Sequence, residues 1–106
     1  MKRTVVRYKT NPERTEENAR LIGNVFAALR ASAPEGIRYV VFTLVDGTFV
    51  HIAETEDGAR PLAELDAFRL FQNGVKERCI EPPEPSEARI VGNYRMLAND
   101  GTDGHA

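Results

Sequence analysis

His51 is the side chain of this sequence best suited to acid–base chemistry, yet it lies inside an apolar run, TFVHIAET (48–55). Phe49 and Ile52 lie beside it, so burial would keep the imidazole neutral, and a neutral imidazole can serve as a general base. The same pattern describes a core or pocket-wall histidine, which is the interpretation we favour. No carboxylate is predicted to share its face, and the other histidine, His105, lies near the C-terminus. His51 is therefore the catalytic candidate, with a structural role as the first hypothesis.

Cys79 is the only cysteine, which excludes an intrachain disulfide and fits a reducing compartment. Lys76 and Arg78 are close to it in sequence and would lower the pKa of its thiol. The C-terminal end of a predicted helix would raise that pKa, so a nucleophilic role is disfavoured. A metal site needs several ligands, and one cysteine with one histidine in the folded part is too few. We therefore expect no metal.

The composition is that of a globular protein. Apolar residues make up 42% and charged residues 28% of a chain of 106, which is enough for one domain. The net charge of −2 offers no basic face, so neither nucleic acid nor a membrane is expected as a partner. No run approaches the roughly 20 apolar residues of a membrane span. The first residues, MKRTVVRYKT, lack the apolar core of a signal peptide, and we expect a cytoplasmic protein.

The first part of the chain predicts a strand followed by a helix. Residues 4–9, TVVRYK, are rich in β-branched and aromatic types, as strands are. The helix starts at Pro12, which suits a first helical position, and ends before Pro34 and Gly36. Apolar residues recur along it at the spacing of an amphipathic helix. They are Leu21, Ile22, Val25, Phe26 and Leu29.

Two apolar strands follow, 37–45 and 48–55, separated by Asp46-Gly47, a dipeptide typical of a two-residue type I′ hairpin turn. Such a turn places Phe42 opposite His51. One face would then carry Val40, Phe42, Leu44, Phe49, His51 and Ala53. The other would carry Tyr39, Val41, Thr43, Val45, Val50, Ile52 and Glu54. A half-exposed antiparallel sheet has one polar face, and here neither face is polar, so both are expected to be covered.

The second half predicts a long helix and a last strand. The helix would span 62–79, with Gly74 inside it as a close-packing point at a cost of about 1 kcal/mol. Its apolar stripe consists of Leu65, Phe68, Phe71, Val75 and Cys79. IEPPEP (80–85) is interpreted as a stiff, extended connection, because its prolines exclude a helix. The last strand is predicted over 86–97.

The predicted order is β-α-β-β-α-β, the ferredoxin-like arrangement of a four-stranded antiparallel sheet with two helices on one face. This α+β domain would span residues 1–97. Residues 98–106 have turn residues and no apolar anchor, which predicts a flexible tail, and removal of residues 99–106 should leave stability and dimerisation nearly unchanged. The helices cover one sheet face, and a second copy of the sheet would cover the other. We therefore expect a homodimer.

Over roughly residues 4–97 the chain resembles the dimeric α/β-barrel proteins, in particular the antibiotic-biosynthesis monooxygenase-like family. The resemblance rests on the element order, on HIAETED with Glu54, and on the spaced phenylalanines of AFRLFQNGVKER. It implies a face-to-face homodimer and, in the active members, oxidation of small aromatic or polyketide substrates without metal or flavin. The expected cofactor is therefore none, and the expected ligand is a small apolar or aromatic molecule between helices and sheet.

The predicted faces and the resemblance assign residues to two places. Candidates for the pocket are Phe26, Phe42, Phe49, His51, Phe68, Phe71 and Tyr94. Candidates for the dimer interface are Tyr39, Val41, Thr43, Val50, Ile52 and Glu54. Tyr39 and Glu54 are predicted to be cross-strand partners.

Two functional hypotheses follow from these assignments. Active members of the family offer an Asn on the first strand, a Trp, and a His near the second helix. Here the first strand is VVRYK, the chain has no Trp, and the second helix has no His. These differences favour a non-catalytic small-molecule-binding or structural module. The alternative is a cofactor-independent monooxygenase-like or isomerase-like enzyme. An RNA-recognition motif is disfavoured, because GTFVHIAE matches its aromatic signature only in part.

Overall fold

The computed structural model describes residues 1–97, so the predicted tail 98–106 and the effect of its removal lie outside the described residues. The regular elements are β1 (Lys2–Thr10), α1 (Thr15–Ser32), β2 (Ile37–Thr43), β3 (Thr48–Thr55), α2 (Asp66–Gln72) and β4 (Cys79–Glu87). Short 3₁₀ turns cover 12–14, 62–64 and 76–78. The strands form one antiparallel sheet in the order β2-β3-β1-β4, which confirms the predicted ferredoxin-like α+β fold. Within the described part of the chain, no helix is long and apolar enough to cross a membrane.

The core lies between one sheet face and the two helices. It is centred on Tyr8 and Phe49, whose rings stack with centroids 5.4 Å apart, and on Phe71 of α2. Ile22 and Val25 bury the inner side of α1 against them. The helix ends at Ser32: Ala33 donates its N–H to the carbonyl of Leu29 at 2.7 Å, and its left-handed backbone (φ +45°) then turns the chain away from the helix. The predicted stripe of α1 therefore packs as its spacing required.

The β2–β3 hairpin has a three-residue loop, Val45–Gly47, and the predicted two-residue turn is wrong. The amide of Leu44 donates to the carbonyl of Thr48 at 2.8 Å, so these two residues close the ladder. Gly47 has φ +88°, the left-handed position that ends a three-residue hairpin loop. The carboxylate of Asp46 accepts from the amide of Thr48 at 3.0 Å and closes the loop.

This one-residue difference reverses the predicted faces of β2, because the side chains of a strand alternate between the two sides of the sheet. Val41 rather than Phe42 pairs with His51, and Tyr39 pairs with Ala53. Tyr39, Val41 and Thr43 therefore lie on the helix face, and their prediction at a sheet–sheet interface is wrong. Phe42 lies on the open face, the sheet side away from the helices, and its prediction as a pocket residue is wrong. The partition predicted for β3 is correct.

The second half also departs from the prediction. The helix predicted over 62–79 is interrupted by Gly74, whose φ of +83° ends the helical run after Gln72 instead of providing a packing point. The proline-rich stretch is not a connection, because it forms most of β4, at the edge of the sheet. An edge strand tolerates proline, since one side of its backbone needs no ladder partner. The strand predicted over 86–97 is therefore wrong beyond Glu87.

Two glycine substitutions test the hairpin assignment. Gly47→Ala should lower the free energy of unfolding by about 1–2 kcal/mol, because a Cβ is disfavoured at its positive φ. Gly23→Ala is the matched control. It lies exposed within α1 with no atom near the added Cβ, and it should raise that free energy by up to about 1 kcal/mol. Urea unfolding of both variants measures the difference, and two changes of equal sign would contradict the loop described above.

Candidate functional site

A cavity of about 420 Å³ opens between the helix face of the sheet and α2. This volume lies within the range typical of small-molecule sites. Its walls are mostly apolar and include Val6, Ala53, Phe68, Phe71 and Val75. Tyr8, Tyr39 and His51 form one polar end, and Lys2, Thr4, Thr55 and Gln72 add polar groups to the remaining wall. A largely apolar chamber with a few grouped polar side chains is typical of a binding site for a small organic molecule.

His51 is held at this polar end by two tyrosines. The hydroxyl of Tyr8 lies 2.8 Å from Nε2, and the hydroxyl of Tyr39 lies 2.6 Å from Nδ1. The ring of Phe71 packs on the imidazole with centroids 5.4 Å apart. The imidazole is only 5% exposed, so both of its nitrogens depend on protein partners. His51 is thus both a wall residue and a fully hydrogen-bonded one.

The hydrogen bonds continue from Tyr8 away from the cavity. Asn18 of α1 donates from Nδ2 to the Tyr8 hydroxyl at 2.8 Å. Arg78, which immediately precedes β4, donates from Nε to Oδ1 of Asn18 at 2.9 Å and from Nη2 to the carbonyl of Phe71 at 2.7 Å. Asn18, His51 and Arg78 are buried, as is Tyr8. We call the series Arg78–Asn18–Tyr8–His51–Tyr39 the buried polar chain.

Burial sets the protonation of this cluster. Loss of solvation lowers the pKa of His51 to about 4, so the imidazole is neutral at pH 7. Loss of solvation also raises the pKa of the Tyr8 and Tyr39 hydroxyls, which keep their protons. A general base works best with a pKa near the working pH. His51 is therefore a weak base, and Tyr39, which is half-buried whereas His51 is buried, is the more exposed residue of the pair.

The phenylalanines predicted for the pocket lie in different places. Phe68 and Phe71 line the cavity, whereas Phe49 is buried beneath it against Tyr8. Phe26 stacks on the other side of Tyr39, with centroids 5.1 Å apart, and borders a smaller cavity of about 240 Å³. Tyr94 is 79% exposed in the irregular segment after β4 and does not reach the site. Its placement on a last strand was wrong because that strand ends earlier.

Glu54 lies on the open face with Val50 and Ile52, as predicted, but its partners differ. It is 5% exposed, and its carboxylate accepts from Nε of Arg3 at 2.6 Å and from Nη1 of Arg38 at 3.4 Å. Arg3 and Arg38 are its neighbours on the flanking strands. The predicted pairing of Glu54 with Tyr39 is therefore wrong, because Tyr39 points to the opposite face.

The sequence predictions missed Asn18 and Arg78. A signal for Asn18 was present, since it is four residues before Ile22 and seven before Val25 and thus occupies an apolar-face position of α1. A polar side chain at such a position needs a buried partner. No comparable signal marks Arg78, whose contact with Asn18 spans 60 positions of sequence.

Neither of the other chemical candidates forms a site. Cys79 is half-buried at the start of β4, and burial raises the pKa of its thiol, which disfavours a nucleophile. Among residues 1–97, no three histidine, cysteine, aspartate or glutamate side chains are grouped so that they could hold a metal ion.

Solved structures share this architecture. A Nitrosomonas europaea protein assigned provisionally as an antibiotic biosynthesis monooxygenase superposes with a TM-score of 0.66 and 18% identity, over 86% of this chain and 99% of that chain. A Caulobacter crescentus protein with the same provisional assignment superposes with a TM-score of 0.66 and 13% identity, over 85% of this chain and 89% of that chain. A conserved protein from Methanosarcina mazei superposes with a TM-score of 0.65 and 18% identity, over 83% of this chain and 90% of that chain.

No protein-family model and no curated protein matches the chain. These solved structures share at most 18% sequence identity with this chain, and a likeness at that level establishes the fold alone. The chain therefore has the fold of the antibiotic biosynthesis monooxygenase-like proteins, as its resemblance implied.

The lowered pKa of His51 makes stability depend on pH. Between the unfolded pKa of 6.5 and the folded pKa of about 4, the unfolded chain binds a proton that the folded chain does not. Stability therefore falls as the pH falls through this window. His51 should contribute a loss of about 2 kcal/mol between pH 7 and pH 5, at about 1.4 kcal/mol per unit.

Urea unfolding of the wild type and His51→Gln at both pH values isolates this contribution, because other groups titrate equally in the two proteins. Glutamine retains a donor and an acceptor for the two tyrosines. The variant should lose about 2 kcal/mol less than the wild type between pH 7 and pH 5. Equal losses in the two proteins would show that the folded imidazole titrates normally.

Proposed function

We propose that this chain is a homodimeric binding protein that holds a small, largely apolar or aromatic organic molecule in the cavity between sheet and α2. The cavity of about 420 Å³, with mostly apolar walls, carries the proposal. An apolar cavity costs stability, because side chains around it lose packing contacts. A bound molecule would restore those contacts.

The walls favour a flat, apolar ligand. Phe68 and Phe71 present aromatic rings whose centroids lie 6.0 Å apart, and Val75 and Ala53 add aliphatic surface. Aromatic rings favour stacked or edge-on contacts with other rings. The Tyr39 hydroxyl at the polar end would orient a ligand that carries one polar atom.

The open face supports the homodimer. Val40 and Phe42 are 37% and 45% exposed there, beside the half-buried Val50 and Ile52. A contiguous apolar surface of this kind is usually covered by a partner. A second copy is the natural partner, because the same face on each chain can pair about a two-fold axis. The buried Glu54, which is paired with Arg3 and Arg38, lies on the same face beside that surface.

The enzymatic alternative is supported by the Tyr39–His51 contact at the cavity wall and by the provisional assignments of the structural neighbours. In such an enzyme, Tyr39 would be the group in contact with the reacting molecule. His51, whose two nitrogens are both engaged by tyrosines, would position it. The missing Asn, Trp and second-helix His of active family members place the binding function first.

Binding of 2-methylnaphthalene, a small aromatic hydrocarbon, tests the cavity. Nuclear magnetic resonance titration should shift signals of cavity residues such as Phe68 and Phe71. Ala53→Leu should weaken binding at least about tenfold, because the larger side chain occupies part of the cavity. Leu70→Ala, on the exposed side of α2, should leave affinity unchanged. Equal affinity in the Ala53 variant and the wild type would place the ligand elsewhere.

Sedimentation tests the assembly. The protein should sediment at about twice its mass of 11.8 kDa at micromolar concentration. Phe42→Asp should yield monomers, because a carboxylate would be buried without a partner in the interface. Leu70→Asp places the same charge on an exposed helix residue, and this control should remain dimeric. A wild-type monomer would contradict the proposed assembly.

A further inference from the structure

We infer that the buried polar chain is directed, so that the Tyr39 hydroxyl donates its proton into the cavity and selects a ligand with an anionic or electron-rich oxygen. The ligand class is a flat, largely apolar molecule that carries one ionisable oxygen, and it binds most tightly as its oxyanion. The inference rests on the proposed binding function and specifies the ligand chemistry.

The direction begins at Arg78. A guanidinium has donors only, so the Asn18 amide atom that faces it at 2.9 Å must be the oxygen. The NH₂ group of Asn18 is thereby turned toward the Tyr8 hydroxyl, 2.8 Å away. The orientation of this amide follows from the chemistry of the arginine.

The direction passes next through Tyr8. Its hydroxyl accepts from Asn18 and has one proton of its own to donate. The neighbouring acceptor is Nε2 of His51 at 2.8 Å, so Nε2 is unprotonated. A neutral imidazole carries one proton, which must then reside on Nδ1.

The last step turns Tyr39 outward. Nδ1–H of His51 donates to the Tyr39 hydroxyl oxygen at 2.6 Å, so the proton of Tyr39 cannot be directed back to His51. Within residues 1–97, His51 is the hydrogen-bond partner of this hydroxyl. Since Tyr39 lines the cavity, its O–H is free to donate to an oxygen of a bound molecule.

The charges around the cavity agree with this direction. The fixed cation of Arg78 stands at the start of the chain, and successive hydrogen bonds that point the same way strengthen one another. The cavity walls formed by the described residues include Lys2 but no aspartate or glutamate. An oxyanion therefore meets a polarised donor and no repelling carboxylate, whereas an ammonium group would meet a hydroxyl proton.

The tautomer of His51 tests the direction without a ligand. Nitrogen chemical shifts should show a protonated Nδ1 and an unprotonated Nε2 in the wild type. Asn18→Asp should reverse this pattern, because a carboxylate paired with Arg78 accepts the Tyr8 proton and forces Nε2 to carry the imidazole proton. Asn24→Asp adds the same charge on an exposed turn of α1 and should leave the tautomer unchanged. A protonated Nε2 in the wild type would overturn the inference.

Ligand binding tests the donor. The probe is 2-naphthol, whose ionisation is visible in its near-ultraviolet absorption, and 2-methylnaphthalene is the matched probe without oxygen. Tyr39→Phe should weaken binding of ionised 2-naphthol by about tenfold to a hundredfold, the usual effect of a lost hydrogen bond to a charged group. The variant should change the affinity for 2-methylnaphthalene by less than about twofold. Tyr94→Phe, on an exposed tyrosine, should change neither affinity.

Asn18→Asp tests whether a residue that does not touch the ligand can change its affinity through the buried polar chain. Asn18 does not line the cavity, yet reversal of the chain would turn an oxygen lone pair of Tyr39 toward the ligand. The affinity for ionised 2-naphthol should therefore fall at least as far as in Tyr39→Phe. If 2-methylnaphthalene binds but neither variant affects 2-naphthol, the directed chain is wrong and the binding function stands. If neither probe binds the wild type, both proposals fail.

Discussion

The burial of His51 between two tyrosine hydroxyls is the constraint on which the rest of this structure depends. A buried polar group without a partner costs about twice what a satisfied hydrogen bond contributes, so each ring nitrogen requires its tyrosine. Tyr8 then requires Asn18, and Asn18 requires Arg78. The five members come from β2, β3, β1, α1 and the turn before β4. A displacement of any of these elements would leave a buried donor or acceptor without a partner.

The hairpin loop shows how closely local structure and site are connected. With a three-residue loop, Tyr39 and His51 share the helix face and their side chains meet. A two-residue turn would have placed Phe42 on that face and Tyr39 on the open one. The imidazole would then have lost the partner of Nδ1, and the cavity would have lost the Tyr39 hydroxyl. The three-residue loop that the positive φ of Gly47 allows thus decides whether Tyr39 and His51 can meet at the cavity.

The sequence predicted those features that depend on local periodicity. The spacing of Ile22 and Val25 sufficed for α1, and alternation along β3 sufficed for the faces of Phe49 and His51. The prediction failed where a single residue changed the geometry or where tertiary position mattered more than propensity. Gly74 ended a helix that the apolar stripe continued, and edge position allowed prolines in β4. The Arg78–Asn18 contact had no local signal, because it joins residues 60 positions apart in the sequence.

The two faces of the sheet handle polar groups in different ways. On the open face, Glu54 is neutralised directly by Arg3 and Arg38, which leaves an ion cluster beside apolar side chains. On the helix face, Arg78 has only neutral acceptors among the described residues, namely Asn18 and two backbone carbonyls. Its hydrogen bonds therefore polarise the neutral groups that lead toward the cavity. A packed hydrocarbon core would avoid the desolvation of a buried cation. The buried charge of Arg78 therefore makes sense as a means of polarising the Tyr39 hydroxyl at the end of the buried polar chain, and not as a source of stability.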